Sequence, residues 1–429
     1  MSPEIYTAAG LPEWAAEFFT TPRATGGTRS ATEPGAAPVA RQQPVWADTE
    51  QLRRVRAMLA EQPGLVTEAE VRALRTELAG VATGRAQVIQ AGDCAEDPDR
   101  YGHADVARKV AMLHRLATRT EDACGRPVLR VGRIAGQFAK PRSKPTELVD
   151  GAEIPVYRGH MVNGPEPTAE ARTADPLRLA AGYMAADAIV GALGWRGATP
   201  PADPVWTSHE ALLLDYELPL VRPTADGRWM SASTHWPWVG ERTRQVDGAH
   251  VSMLARLINP VAVKIGPTVE ADELRALCER LDPRREPGRL TLIIRMGARL
   301  VAERLPALVR AVRAEGHPVI WLADPMHGNT VVAPRGTKTR FLRDMRRELS
   351  EFRVVLGAAG EFPGGVHLEA TPDTVAECVR DESEIDRAGA IYTSLCDPRL
   401  TVEQALEVLA VWCGDDSEPA RDRDAVTLP

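Results

Sequence analysis

Eight short apolar runs recur along this chain, and each breaks off into a cluster of polar residues. They lie at 87–90, 128–131, 204–206, 236–239, 261–263, 290–294, 319–322 and 366–368. Apolar runs of this length, without period-two alternation, suit strands buried on both faces, the condition met in parallel sheets. Amphipathic stretches stand between several of them. Val106, Val110 and Leu113 precede the second run; Leu305, Leu308, Val309 and Val312 precede the seventh and close at Gly316. Strands alternating with helices predict an α/β fold, a closed (β/α)8 TIM barrel with its chemistry on the C-terminal face. The alternative, an open doubly wound sheet, would gather its polar residues at one switch point, whereas here they follow all eight runs.

The flanks divide accordingly. The barrel is expected over 85–414, an N-terminal helical extension at 46–84, an arm and linker at 1–45, and a flexible charged tail at 415–429. In the extension, Leu52, Val55, Met58 and Leu59 share one helix face, and a capping box from Thr67 to Glu70 opens a second helix carrying Val71, Leu74 and Leu78. A second capping box, Thr401 to Gln404, opens the last helix. In the arm, Leu11, Trp14, Phe18 and Phe19 stand at helical spacing, suited to docking on the barrel or on a neighbouring subunit; residues 22–44 have linker composition.

The net charge of −7 excludes a general nucleic-acid or anionic-membrane surface, because such partners need a positive footprint. No apolar stretch approaches the roughly 18–20 residues needed to span a bilayer. The six cysteines lie far apart without a C-x-x-C pair, and the N-terminus has no apolar leader, which predicts a reducing cytoplasm and a core that folds without disulfide staples.

The seventh run reads P-V-I-W-L-A-D-P-M-H-G-N-T over 318–330 and makes His327 a hub, with Asp324 and Asn329 expected to shape its turn. Cys94, Glu369 and Asp397 also stand at or beyond the ends of predicted strands, so barrel closure would bring four potential metal ligands to one face. A thiolate, an imidazole and two carboxylates suit a divalent transition ion such as Mn²⁺, Co²⁺, Fe²⁺ or Zn²⁺, with occupancy set by availability more than by affinity. A cationic set, Arg133, Lys140, Arg142, Arg242, Arg244, Lys264 and Arg295, follows the strands too. Guanidinium groups clamp phosphate and carboxylate bidentately, so these positions point to anionic substrates.

Together, A-G-D-C-A-E, G-R-I-A-G-Q-F-A-K-P-R-S, T-S-H-E-A-L, G-E-R-T-R-Q-V-D-G-A-H, N-P-V-A-V-K-I-G-P, I-I-R-M-G, D-P-M-H-G-N-T and C-D-P-R-L resemble the type II 3-deoxy-D-arabino-heptulosonate 7-phosphate (DAHP) synthases, over roughly residues 42–413 and in the same order. The resemblance implies a transferase that condenses phosphoenolpyruvate with erythrose 4-phosphate, the first step of the shikimate route to aromatic compounds. It implies a homo-oligomer with a divalent metal, manganese foremost and cobalt as another candidate, held by Cys94, His327, Glu369 and Asp397. It further implies phosphoenolpyruvate contacts at Arg133, Glu241, Arg242, Lys264 and Arg295, and a motif with Lys140 and Ser143 facing both substrates. Glu241 is then a candidate to orient the attacking water, and Lys140 to donate a proton.

Two departures, one redox candidate and two rival readings accompany this. Ala323 stands where the family often has Cys, which a second-layer change would accommodate. Cys396, beside Asp397, is a candidate to form an oxidative disulfide with Cys94. The connection after Tyr183 is too short for the added helical pair of regulated members, which predicts weak or absent inhibition by tryptophan and suits supply to specialised metabolism. The same condensation on an amino or imino sugar phosphate is the nearest alternative. A catalytically idle relative that regulates a partner such as a chorismate mutase is the reading from another class.

Overall fold

The computed structural model describes residues 12–15, 18 and 38–413. Eight parallel strands close into a barrel: β1 (Gln87–Gly92), β2 (Val128–Arg133), β3 (Val205–Glu210), β4 (Trp236–Val239), β5 (Val261–Ile265), β6 (Leu290–Ile294), β7 (Ile320–Ala323) and β8 (Pro363–Glu369). Each strand pairs with its sequence neighbours, and β1 with β8 completes the ring, so the fold is the expected (β/α)8 barrel. Each of the eight apolar runs falls on one of these strands, with only Pro204 and Val319 just before theirs. Their burial on both faces explains why the runs are continuous rather than alternating.

Helices α1 (Thr49–Glu61), α2 (Glu68–Ala82), α3 (His103–Cys124), α4 (Leu177–Ala192), α5 (Ala249–Ala255), α6 (Ala271–Leu281), α7 (Val301–Ala314), α8 (Leu342–Ala359) and α9 (Val402–Leu409) surround the strands. Both capping boxes form, at Thr67 with Glu70 and at Thr401 with Gln404. The extension passes beneath the barrel. There Gly288, with φ at +80°, lets the turn before β6 approach α2 so closely that a Cβ would lie 2.4 Å from the Arg75 carbonyl oxygen.

The aromatic patch of the arm docks on the body: Trp14 meets Phe18 edge-on at 5.8 Å and Trp229 at 6.2 Å, with the Arg256 guanidinium 5.0 Å over its ring. Leu11, Phe19, most of the linker and the tail fall outside the described residues. Residues 38–44 drape over the barrel, where Ala249 N donates to Val39 O at 3.1 Å and Gln43 Nε2 to Leu212 O at 2.8 Å. No helix among the described residues is long and apolar enough to cross a membrane.

One expectation fails. A disulfide joins Cys124, at the end of α3, to Cys413, just past α9. The two cysteines are 289 positions apart in sequence, and only barrel closure, which sets the first helix of the ring beside the last, makes them neighbours.

Candidate active site

Strand register sets the floor of the site. Gly92 pairs with both Arg133 and Glu369, so the ends of β2, β1 and β8 lie on one level and the chain after β1 emerges between them with Cys94. Below, a buried polar column fixes orientations. The Gln90 amide donates to Ser208 Oγ at 2.9 Å and accepts from His367 Nδ1 at 2.7 Å, leaving His367 Nε2 to accept from Arg133 Nη1 at 2.6 Å. Burial, reinforced by Lys264 and Arg133, holds the His367 imidazole neutral, well below its ordinary range.

Four side chains meet on this floor. Cys94, Glu369 and Asp397 each bring one donor atom to within 4.8 Å of the others. His327 Nε2 stands 3.1 Å from Glu369 Oε1, while its Nδ1 is 2.8 Å from Asp324 Oδ2. Asp324 does shape the turn, its Oδ1 accepting from Met326 N and His327 N. A carboxylate behind the ring is the usual way a protein aims the other imidazole nitrogen at a metal. Asp397 arrives differently from the reading of a strand end: it stands well beyond β8, on a segment that returns through Leu400 pairing with Ala370.

Asp324, His327 and His367 form a second group of possible donors. It is the poorer set, because Arg133 already occupies His367 Nε2 and Lys264 Nζ holds Asp324 Oδ2 at 2.9 Å. Cys94 and Cys396 lie together in a small buried cluster with Tyr157, and both are free thiols.

Electrostatics on the floor are dominated by cations. Burial alone would raise the Glu369 carboxyl, but His327, Lys140 and Arg340 together hold it well below its usual range. Asp397 is likewise lowered, burial being outweighed chiefly by Lys140. Both carboxylates are therefore ionised and ready to ligate. Burial pushes the Cys94 thiol well up, with Cys396 and Glu369 adding to it.

Above the floor opens a cavity of about 320 Å³ lined by seven cationic side chains, Lys140, Arg142, Lys144, Arg242, Lys264, Arg295 and Lys338, against four carboxylates. Arg242 Nη2 donates to Ser143 Oγ at 2.7 Å, and Arg295 Nη2 to the His327 carbonyl at 2.9 Å. Lys140 Nζ reaches Glu369 Oε1 at 3.4 Å and Asp397 Oδ2 at 3.6 Å. Burial lowers the Lys264 ammonium to about 8, Asp324 offsetting part of the shift. Glu241 accepts from Arg244 Nη2 at 3.0 Å through Oε1, while its buried Oε2 has no partner.

Two predicted cations are not in the lining. Arg133 lies under the floor, spent on Asp93 O, Cys94 O, His367 and Glu369; Arg244 stands behind Glu241, paired with it and with Glu273. Sequence reading overlooked Lys338 and Arg340, on the hairpin of Thr330–Val332 and Lys338–Arg340. Lys338 Nζ meets Asp397 Oδ1 at 2.8 Å and Arg340 Nη1 meets Glu369 Oε2 at 2.8 Å. It overlooked Glu210 as well, whose buried Oε1 is unpartnered at the cavity wall. The only signal for Glu210 was its place in the polar cluster after the third run.

A family model described as the Class-II DAHP synthetase family matches residues 36–194 and 201–412. The chain is 52% identical over 375 residues to a probable phospho-2-dehydro-3-deoxyheptonate aldolase of Pseudomonas fluorescens, covering 86% of this chain and 94% of that protein. It is 41% identical to a phospho-2-dehydro-3-deoxyheptonate aldolase of Streptomyces coelicolor (86% and 93% covered) and 37% identical to one of Mycolicibacterium smegmatis (86% and 90%). A match spanning nearly the whole barrel, with relatives this similar along almost their full length, means that the chain belongs to the class-II DAHP synthetase family.

Proposed function

We propose that this enzyme condenses phosphoenolpyruvate with erythrose 4-phosphate to DAHP and phosphate, and that it does so with a divalent metal. The observation that carries the reading is a cationic cavity standing directly over one thiol, one imidazole and two carboxylates. Cys94, His327, Glu369 and Asp397 would hold the ion, and the donor set fits: two carboxylates kept ionised, an imidazole backed by Asp324, and a thiol that metal binding would deprotonate. Such an ion, manganese or cobalt in this family, supplies Lewis-acid polarisation of the acceptor aldehyde.

The remaining work falls to the chain's own side chains. Lys264, Arg242 and Arg295 hold the phosphate and carboxylate of phosphoenolpyruvate, with Arg133 fixing the floor beneath, and Lys140 and Ser143 face both substrates. As C3 attacks the aldehyde carbon, positive character develops at C2 and a water must add there before phosphate leaves. Glu241, held by Arg244 and with one oxygen free, orients that water. Lys140 gives a proton to the alkoxide.

The connection 193–204 between α4 and β3 contains no helix, which supports an enzyme without tryptophan inhibition and a role in specialised metabolism. The test is phosphate release by chelator-treated protein restored with individual metals, with erythrose 4-phosphate and an amino sugar phosphate as parallel acceptors. Restoration by Mn²⁺ or Co²⁺ with erythrose 4-phosphate is the expected result; full activity in the chelated protein would refute metal dependence. Turnover confined to the amino acceptor would reassign the substrate. Adding tryptophan, phenylalanine and tyrosine to the same assay should leave the rate unchanged.

A further inference from the structure

Arg142, Ser143 and Lys144 line the active cavity, and the same three residues line a second cavity of about 650 Å³. A segment standing between two cavities has few packing contacts to fix it. Hydrogen bonds must hold it instead, and here they are few. Pro141 has no N–H, and among the described residues the Arg142 N–H is the only main-chain donor of 141–144 that is bonded, giving its proton to Gln42 Oε1 at 2.8 Å.

Gln42 comes from the draped arm, 100 positions earlier in the chain. Its φ is +61°, in the left-handed region that residues with side chains seldom adopt. A residue stays there only where its surroundings over-determine it. The Gln42 side chain takes the Arg142 N–H, its carbonyl takes Arg158 Nη2, and Arg158 O in turn accepts from Lys140 N at 2.9 Å. Gln42 thereby closes a ring of hydrogen bonds through both ends of Lys140–Arg142. Glycine would adopt this backbone more readily, so what glutamine adds is the reach of its amide oxygen. The neighbouring Gln43 anchors the same arm elsewhere, donating to Leu212 O at 2.8 Å and accepting from Leu214 N at 3.0 Å, neither of them in the active-cavity wall.

We propose that Gln42 is a positioning residue for the second substrate, presenting Arg142 and Ser143 to the phosphate of the acceptor. This rests on the function proposed above. There phosphoenolpyruvate takes Lys264, Arg242 and Arg295, which leaves Arg142 and Lys144 of this loop to the other phosphate. The arm is then part of the active site, although none of its residues lines the active cavity.

The test is steady-state phosphate release by the metal-loaded full chain, for wild type, Gln42→Met, Gln42→Gly and Gln43→Met, with each substrate varied in turn and thermal melts confirming that each protein folds. Gln42→Met keeps the bulk of the side chain and deletes its acceptor oxygen; Gln42→Gly deletes it while suiting the backbone. Losing this one hydrogen bond should raise the KM for erythrose 4-phosphate by about three- to tenfold in both, with kcat and the phosphoenolpyruvate KM within about twofold of wild type. Gln43→Met loosens the arm without touching the loop and should leave all three constants unchanged. Amide hydrogen exchange over 142–144 should quicken in both Gln42 variants, and Gln42→Glu, which keeps an acceptor oxygen at the same reach, should slow it again. An acceptor KM unmoved by both Gln42 variants, an equal rise in Gln43→Met, or unchanged exchange would each overturn the proposal. A wild type inert toward erythrose 4-phosphate would refute the functional reading itself, and the acceptor role with it.

Discussion

Glu241 Oε2 is buried at the cavity wall with no partner, and a buried carboxyl oxygen left bare is costly unless something is meant to fill it. If it orients water at C2, Glu241→Gln should lower kcat by about 10²- to 10⁴-fold with little change in the phosphoenolpyruvate KM. Steady-state phosphate release checks this, and an unchanged kcat would remove Glu241 from the chemistry. Glu348, on α8, acts at one remove. It accepts from Met296 N at 3.0 Å, Gly297 N at 2.8 Å and Asn329 Nδ2 at 2.6 Å, tying the turn after Arg295 to the turn after His327. Burial raises its carboxyl from 4.5 to about 8, although these donors pull the other way. Because the folded value lies above the unfolded one, the native state holds the proton more tightly. The contribution of this group is therefore full below pH 4.5 and lost as pH rises through about 8. Between pH 5 and 8 the wild-type melting temperature should fall more steeply than that of Glu348→Gln. Parallel profiles would show that Glu348 does not titrate in that window.

At the scale of elements, the hairpin carrying Lys338 and Arg340 completes the site from outside the barrel. The Arg340 guanidinium is fully buried, bonded to Glu369, to the Pro398 carbonyl and to Thr330 Oγ1. Arg340→Met would strip a buried carboxylate of one partner and unpin the hairpin, lowering stability by about 3 kcal/mol even with Arg133 and Lys140 still on Glu369. Urea unfolding reads the loss and limited proteolysis between 331 and 338 reads the release; native-like resistance in both would mean that the hairpin is held by other contacts. This hairpin was illegible in the sequence, whereas every barrel strand was legible. A strand buried on both faces must be an apolar run, but a two-stranded ribbon at the rim buries little and leaves no pattern. Cys94 and His327 could be read because their motifs begin where apolar runs stop. Asp397 could be named only through its motif, since its position follows from how a long loop returns and not from any local period. The crowding of Arg133 under the floor was hidden for a related reason: strand-end residues look alike in sequence whether they face the cavity or the barrel interior.

Over the whole molecule, barrel closure makes neighbours of segments that sequence distance separates, and the Cys124–Cys413 disulfide is the covalent form of that closure. It fastens the end of α3 to the chain just past α9, with Cα atoms 5.1 Å apart. The same terminal segment is also held without it: Trp412 stacks on Phe352 of α8 at 6.1 Å and donates from Nε1 to Gln87 Oε1 at 3.2 Å, at the start of β1. The native contacts at 411–412 do not need the bond, so its effect falls mainly on the unfolded chain, where it closes nearly the whole barrel into one loop. Chain-entropy reasoning for a loop this long gives about 6 kcal/mol as an upper figure. Reductant should therefore lower the wild-type melting temperature by several degrees, while Cys124→Ser/Cys413→Ser should start lower and not respond. Equal responses of the two proteins would mean that the cross-link is absent from the native enzyme and that the first and last helices of the ring are held by packing alone.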